Sequence, residues 1–444
     1  MTQKKIYKKC FFFSLFAYLC NNYIKSRKFK MKKIVPIIIG LIFIIVIIKV
    51  LSNKGNLNSI PNEYFTPSGE LIKQPVTAKI DSHAIVKFYV ESSGSMNGFF
   101  RNNVPTKFKH DVYEIMSYYS NVTKSINIMT NQGDIATQMT LPQFRNAMNT
   151  ASLQSNASTQ VPIMLSTIIS QLKKDEVAIL ISDMKYSPVG ASAPAVLLSE
   201  YGSDITRITK NSKKCLCLIC AVSNYADKTG NNISNQSPYY YLIIGDQDKV
   251  SFIRNGISSL LEENKNFIDN IEAGYKYASV PYSFGIPQNA VQYESQPTFY
   301  DYDEALGDCV ISLKLHLEAY RWIMANKDTI KKYFICKSLY GSKVSIKDIT
   351  VMTNNYSNQK LKRSSIATIK LHVSNMPYDM DIIKWNLTIP SGEQTTLIQQ
   401  FYGAKDENDL TKSYSIESFI QGISQEGMIN TQPKPNYILI TKQN

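Results

Sequence analysis

The stretch Phe88-Tyr-Val-Glu91-Ser-Ser93-Gly94-Ser95-Met96 offers the groups best suited to chemistry in this chain. An apolar strand delivers an acid, then two hydroxyls at alternate positions, with Gly94 permitting a tight turn. Such a loop belongs at the carboxyl end of a strand, where open α/β sheets place their ligands. Carboxylate and hydroxyl oxygens suit hard divalent cations, and Mg²⁺ in particular wants six oxygens at about 2.0–2.1 Å while keeping some waters. Other chemistries find less support. The histidines are His83, His110, His316 and His372, with no pair at metal-ligand spacing. The chain has no Walker lysine loop, no GxGxxG and no GxSxG elbow around Ser95.

The elements that must position this loop are legible from periodicity. Ala84–Val90 reads as a strand, Thr106–Ser120 as a helix, Ser125–Met129 as a short strand and Pro162–Leu172 as a helix with Pro in its first turn. Val177–Ser182 is a continuous apolar run, expected of a strand covered on both faces. Cys215–Val222 and Tyr239–Gly245 repeat that texture, and Val250–Glu263 is helix-like. The alternation predicts an α/β fold: an open, mostly parallel sheet with helices on both faces. After about residue 275 short alternating runs take over, at 310–317, 343–351, 366–373, 382–389 and 437–441. They predict a β-sandwich of Ig-like type.

Here the residues acquire a likeness. The segment from Glu91 to Met96 resembles the first motif of von Willebrand factor A domains, an acid-x-Ser-Gly-Ser-Met that ends the first strand. That family completes a metal-ion-dependent adhesion site with a Thr from another loop and an Asp after a later central strand. Asp183 matches the second acid because it follows the apolar strand 177–182. Thr159, just before the helix at Pro162, matches the Thr better than Thr150 or Thr167, neither of which sits at a helix entry. The resemblance covers about residues 82–265. It implies a site of Ser93, Ser95, Thr159, Asp183 and Glu91 holding Mg²⁺, with a partner protein donating the last ligand, typically a carboxylate. One departure stands out. The family's first acid is usually Asp, and the extra methylene of Glu91 moves its carboxylate by about 1.5 Å, leaving Mn²⁺ or Ca²⁺ as alternatives. Taken singly, Ser93 and Ser95 are ordinary turn residues, Thr159 an ordinary helix N-cap and Asp183 an ordinary strand-end acid.

The bulk properties place this site outside the cytoplasm. Of the net charge of +14, ten positive charges and no acid fall in residues 1–33, leaving only +4 for the other 411 residues. That basic cluster flanks the apolar run 34–48, which Val50 and Leu51 extend, so the charge is a topology signal and not a nucleic-acid surface. Residues 34–51 read as a single transmembrane signal anchor with the N-terminus cytoplasmic, residues 52–81 as a stalk, and the bulk as periplasmic or on the cell surface. Met31-Lys-Lys, directly before the apolar run, reads as a second candidate start. Seven cysteines show no zinc spacing, and Cys215, Cys217 and Cys220 read as small hydrophobes. The sequence thus resembles bacterial membrane-anchored von Willebrand A proteins, and the expected role is partner binding through a cation, not catalysis. Two alternatives stay open: a metal-dependent hydrolase or phosphoryl-transfer enzyme with Ser95 as nucleophile, and a structural envelope protein with a degenerate site.

Overall fold

Alternation along β1 (Ile85–Glu91) sends Val86, Phe88 and Val90 into one apolar layer and Tyr89 into another. The structure, a computed structural model, describes residues 63–442 except 131, 156, 187–193, 307, 324–326, 354–364, 389–396, 407 and 425–431. The anchor expected at 34–51 and the basic segment 1–33 lie outside the described residues. No helix among the described residues is long and apolar enough to cross a membrane.

β1 is central in a seven-stranded sheet with β2 (Thr123–Met129), β3 (Ile135–Met139), β4 (Glu176–Ser182), β5 (Cys215–Ala226), β6 (Asn232–Gly245) and β7 (Phe267–Ala273). The order is β3-β2-β1-β4-β6-β5-β7. Helices cover both faces. On one lie α1 (Lys107–Tyr118), α2 (Leu141–Asn149) and, later in the chain, a helix at Gln247–Glu263. On the other lie α3 (Val161–Gln171) and α4 (Pro194–Ser212); the helix at 247–263 is α5.

The fold is α/β as expected, but the sheet is mixed, not mostly parallel. Only β1–β2 and β1–β4 pair in parallel; β2–β3, β4–β6, β5–β6 and β5–β7 are antiparallel. The cause is loop length. A turn built on the Asp227 carboxylate, which accepts from Thr229 and Asn231 N–H, joins β5 to β6, and a connection that short can only make a hairpin.

The remaining strands form two sheets. A five-stranded one holds β9 (Val291–Gln292), β10 (Thr298–Tyr302), β12 (Phe334–Ser338), β15 (Met380–Leu387) and β16 (Asn436–Lys442). A four-stranded one holds β8 (Tyr282–Phe284), β11 (Cys309–His316), β13 (Lys343–Thr353) and β14 (Ser365–Ser374). Edge-to-face contacts of Tyr282 with Trp385 and of Phe284 with Phe299 join the two. The β10–β16 pairing is parallel, so this region is not purely antiparallel. A short helix, α6 (Lys327–Tyr333), precedes β12.

The expected boundaries shift. The first sheet extends through β7, past 265, because Ile271 and Ala273 are buried in its second layer. The described part of the expected stalk is folded onto the body. Phe65 is buried and bridges to Leu71, Thr77 bridges to Ser279, and Asp81 pairs with Lys249 at 3.1 Å. Apolar side chains at 65 and 71 gain more from burial than an extended stalk allows. One apolar cluster also runs from β1 and β4 to β11, β14 and β16, so the two regions share a core.

Two segments, 398–401 and 416–424, leave the β-rich region and pack on the first sheet. Ile398, Phe401 and, from α7 (Ile416–Ser424), Ile416, Phe419 and Ile423 join Tyr201 and Ile205 of α4. The crossing of α4 and α7 is close. A Cβ on Gly422 would stand 2.7 Å from the Gly202 carbonyl oxygen and 2.8 Å from Ile205 Cβ. Gly422→Ala should therefore cost about 1–3 kcal/mol by overpacking, despite the roughly 1 kcal/mol advantage of alanine inside a helix. The measurement is a lowered urea midpoint at unchanged slope; an unchanged midpoint would mean the helices separate freely.

Candidate functional site

β1 ends on Glu91, and the chain then turns through one 3-10 turn, Gly94–Met96. Buried Met96, Phe99 and Phe100 pin this turn to the core. Hydrogen bonds lace it to residues 153–157. Gly94 N–H donates to the Ala157 carbonyl (2.9 Å) and Ser92 Oγ to the Leu153 carbonyl (3.1 Å). The Asn97 side chain bridges Ser155, donating to its carbonyl at 2.7 Å and accepting from its N–H at 2.9 Å. Gly98 is required by close approach, since a Cβ there would lie 2.1 Å from the Tyr225 ring, whose hydroxyl donates to the Ser95 carbonyl.

Three stretches of chain meet at Glu91. Thr159 Oγ1 donates to Glu91 Oε1 at 2.6 Å. Thr159 is therefore not a helix cap: the N-cap of α3 is Gln160, which makes no side-chain cap bond. Ser182 Oγ donates to Glu91 Oε2 and in turn accepts from Met184 N–H at 2.7 Å. The Ser93 and Ser95 hydroxyls lie 3.1 Å apart, and they also interact with Glu91 and Asp183 respectively. Asp183 Oδ1 accepts from Lys185 N–H at 3.2 Å, while Asp183 Oδ2 is buried with no hydrogen-bond partner. All five residues expected from the sequence thus converge at one rim. Glu91, Ser93, Thr159 and Asp183 are at most 2% exposed, and Ser95 alone is partly open.

The electrostatics follow from that burial. Glu91 is pushed up to about 7, mainly by desolvation and secondarily by the charge of Asp183; the hydroxyls of Ser182, Ser93 and Thr159 only partly offset this. Desolvation also raises Asp183, against the pull of the Lys185 charge and the Ser95 hydroxyl. The acid pair therefore favours holding a proton near neutral pH.

The position in the sheet accounts for the convergence. β1 pairs with β2 on one side and β4 on the other, so its carboxyl end is the point where strand order reverses. Crevices form there. Beside it a cavity of about 230 Å³ opens between β3 and the 152–157 loop, with Ser92, Thr130, Thr137 and Ser155 in its wall. It offers hydroxyls but no charge.

Sequence reasoning missed Ser182 and Lys185. Ser182 could have been found from register: Val90 pairs with Ile181, so Glu91 comes next to Ser182. Lys185, whose ammonium donates to the Asp409 carbonyl at 2.9 Å, had no local signal.

The five described cysteines are free thiols, and burial pushes Cys215, Cys217 and Cys309 up to about 12. Among the described residues no group of three or more His, Cys, Asp or Glu is placed to hold a metal ion, so any cation at this rim depends on hydroxyl oxygens as well as its two acids. Comparison with known protein families, with curated proteins and with solved structures finds no match to this chain.

Proposed function

We propose that this rim is a divalent-cation site, of the von Willebrand A kind, through which the chain binds an anionic group on a partner protein. Asp183 Oδ2 carries the reading. It is a buried carboxylate oxygen without a hydrogen-bond partner, in a cluster that includes the hydroxyls of Ser93 and Ser95. Leaving such an atom unpaired is costly, and an all-oxygen donor set suits Mg²⁺, Mn²⁺ or Ca²⁺.

Ser93, Ser95 and Asp183 would hold the ion, with Thr159 as a further oxygen. Glu91, its two oxygens already accepting from Thr159 and Ser182, fits better as the group that orients those hydroxyls than as a direct ligand. When bound, the cation supplies the positive charge that attracts an anion. A hard cation keeps part of its coordination shell for other oxygens, so the incoming group is an anion, most simply a carboxylate. Partly open Ser95 marks the point of entry.

The parallel block β2-β1-β4, with the Glu91 loop and Asp183 at its carboxyl ends, supports the von Willebrand A-like assignment. In this reading residues 34–51 anchor the protein in a membrane, and the Ig-like β region acts as spacer or second contact surface. One observation favours a different reading, a purely structural rim: Glu91 is satisfied by hydroxyls alone. The Ser95 hydrolase finds less support, because each of the four histidines interacts elsewhere, with Asp81, with Asp111 and Asn264, with Ser283 and with Asp308.

Calorimetric titration of the full chain with Mg²⁺, Mn²⁺ and Ca²⁺ tests the proposal. The parent should bind one ion saturably, and the Ser93→Ala, Ser95→Ala double variant should bind at least about tenfold more weakly, as expected when site oxygens are lost. No heat from any of the three cations in the parent would leave the structural rim as the answer.

A further inference from the structure

The loop that carries Asp183 is held by residues more than 220 positions later in the chain. Ser413 Oγ donates to the Asp183 carbonyl at 3.2 Å. Tyr186 N–H donates to the Tyr414 carbonyl at 3.3 Å, and the Lys185 ammonium donates to the Asp409 carbonyl at 2.9 Å. Three contacts, from 183, 185 and 186, thus go to one strap at 408–415.

The strap is itself fixed at both ends. Ser413 N–H donates to the Phe401 carbonyl at 3.1 Å, and Phe401 is buried in the second apolar layer. On the far side Ile416, Phe419 and Ile423 of α7 sink into that layer beside Tyr201 and Ile205. The loop under the strap contains Met184 at φ 56°, a left-handed conformation unfavourable for a residue with a side chain. Such a conformation persists where neighbouring contacts over-determine it. Here Ser182 Oγ holds Met184 N–H from one side, and the strap holds 183, 185 and 186 from the other.

We infer that the 408–415 strap positions Asp183 for the cation, with Ser413 as the positioning residue. This rests on the cation reading given above. Ser413 touches the backbone of Asp183 and not its carboxylate, so it acts by setting the direction in which the acid points. The linkage is reciprocal: a strap that tightens the cation is itself tightened by the cation. The C-terminal region then regulates the site, since anything that lifts α7 from α4 loosens the Asp183 loop.

Lys185 is a poor probe, because removing its charge would strengthen cation binding electrostatically while loosening the strap. Ser413→Ala removes only a neutral hydroxyl. Titration of the full chain with MgCl₂ should show Ser413→Ala binding about tenfold more weakly than the parent, the scale seen when a group supporting a ligand is lost. Hydrogen exchange supplies a second readout that a merely structural role would not move. Saturating Mg²⁺ should slow exchange of the Tyr186 amide in the parent and leave it unchanged in Asp183→Asn.

If the parent binds Mg²⁺ and Ser413→Ala binds within twofold of it, the strap does not position Asp183, and the cation reading survives alone. If the parent binds none of Mg²⁺, Mn²⁺ and Ca²⁺, both fall together; a parent that binds only Mn²⁺ or Ca²⁺ is put through the same comparison with that ion. Should Ser413→Ala fail to fold, Tyr186 exchange in the parent decides: slowing by Mg²⁺ supports the strap, and no change overturns it.

Discussion

Replacing Asp183 by asparagine should reverse the order of stability between the cation-free and cation-loaded protein. Without divalent ions the parent carries a buried carboxylate that desolvation disfavours and whose Oδ2 has no hydrogen-bond partner. Asparagine keeps an oxygen to accept from Lys185 N–H and removes the buried charge, so the cation-free variant should be no less stable than the parent. With Mg²⁺ present the order changes. A ligand at a hundred times its dissociation constant stabilises the folded state by about 2.7 kcal/mol, and the variant should forgo nearly all of it. Its affinity for Mg²⁺ should fall by a hundredfold or more, roughly the 3 kcal/mol at stake when a charged partner in a buried site is lost. Thermal unfolding of both proteins with EDTA and with MgCl₂ shows the crossing. Parallel shifts in the two proteins would mean that Asp183 is not where the cation acts.

The second large effect concerns Glu91 and pH. Its folded value, raised by burial to about 7, exceeds the unfolded value of 4.5. Between those values the folded chain holds a proton that the unfolded chain has lost. Stability from this group is therefore greatest at acidic pH, falls as pH rises from about 4.5 to about 7, and levels off above. A tenfold change in proton affinity is worth ~1.4 kcal/mol, so the swing is on the order of 3 kcal/mol.

Glu91→Gln should abolish that slope and gain most over the parent at pH 8, with one of the Thr159 and Ser182 hydroxyls turning to accept from the amide NH₂ and the other still donating to the amide oxygen. Urea unfolding at pH 5 and pH 8, with EDTA throughout, measures the difference. Identical pH profiles for parent and variant would show that Glu91 titrates normally. Added Mg²⁺ should reverse the trend, because a cation favours ionised acids and its affinity climbs with pH through the same range.

Both predictions involve residues that the sequence singles out, for a local reason. A strand buried on both faces reads as a continuous apolar run, and the first polar residues after it must lie at the sheet's rim. Glu91 as the last residue of β1, Ser93 and Ser95 just beyond it, and Asp183 after β4, follow that rule. Thr159 emerged from its place before a helix, although the structure uses it differently, as a donor to Glu91 and not as a cap.

Other elements carried no such local mark. α4 spans Pro194–Ser212 with a Gly, several Ser and Thr residues and three β-branched Ile or Val, all weaker helix formers than Ala or Leu. Its buried face is completed by α7 packing against it, a contact that no window of neighbouring residues contains. The antiparallel half of the sheet was hidden because an apolar strand reads the same in either direction. Only the short turn at Asp227 set its sense.

The amino-acid sequence by itself determined which oxygens stand at the ends of the two central strands, since burial of the flanking residues leaves them nowhere else to go. Tertiary structure alone decided that Glu91 shares its oxygens between Thr159 and Ser182, that its acidity is suppressed, and that a strap from the C-terminal region grips the Asp183 loop. Those properties arise from contacts across 68 to 230 residues of chain. Hydrogen bonding and desolvation depend on distances in space, which local periodicity does not encode.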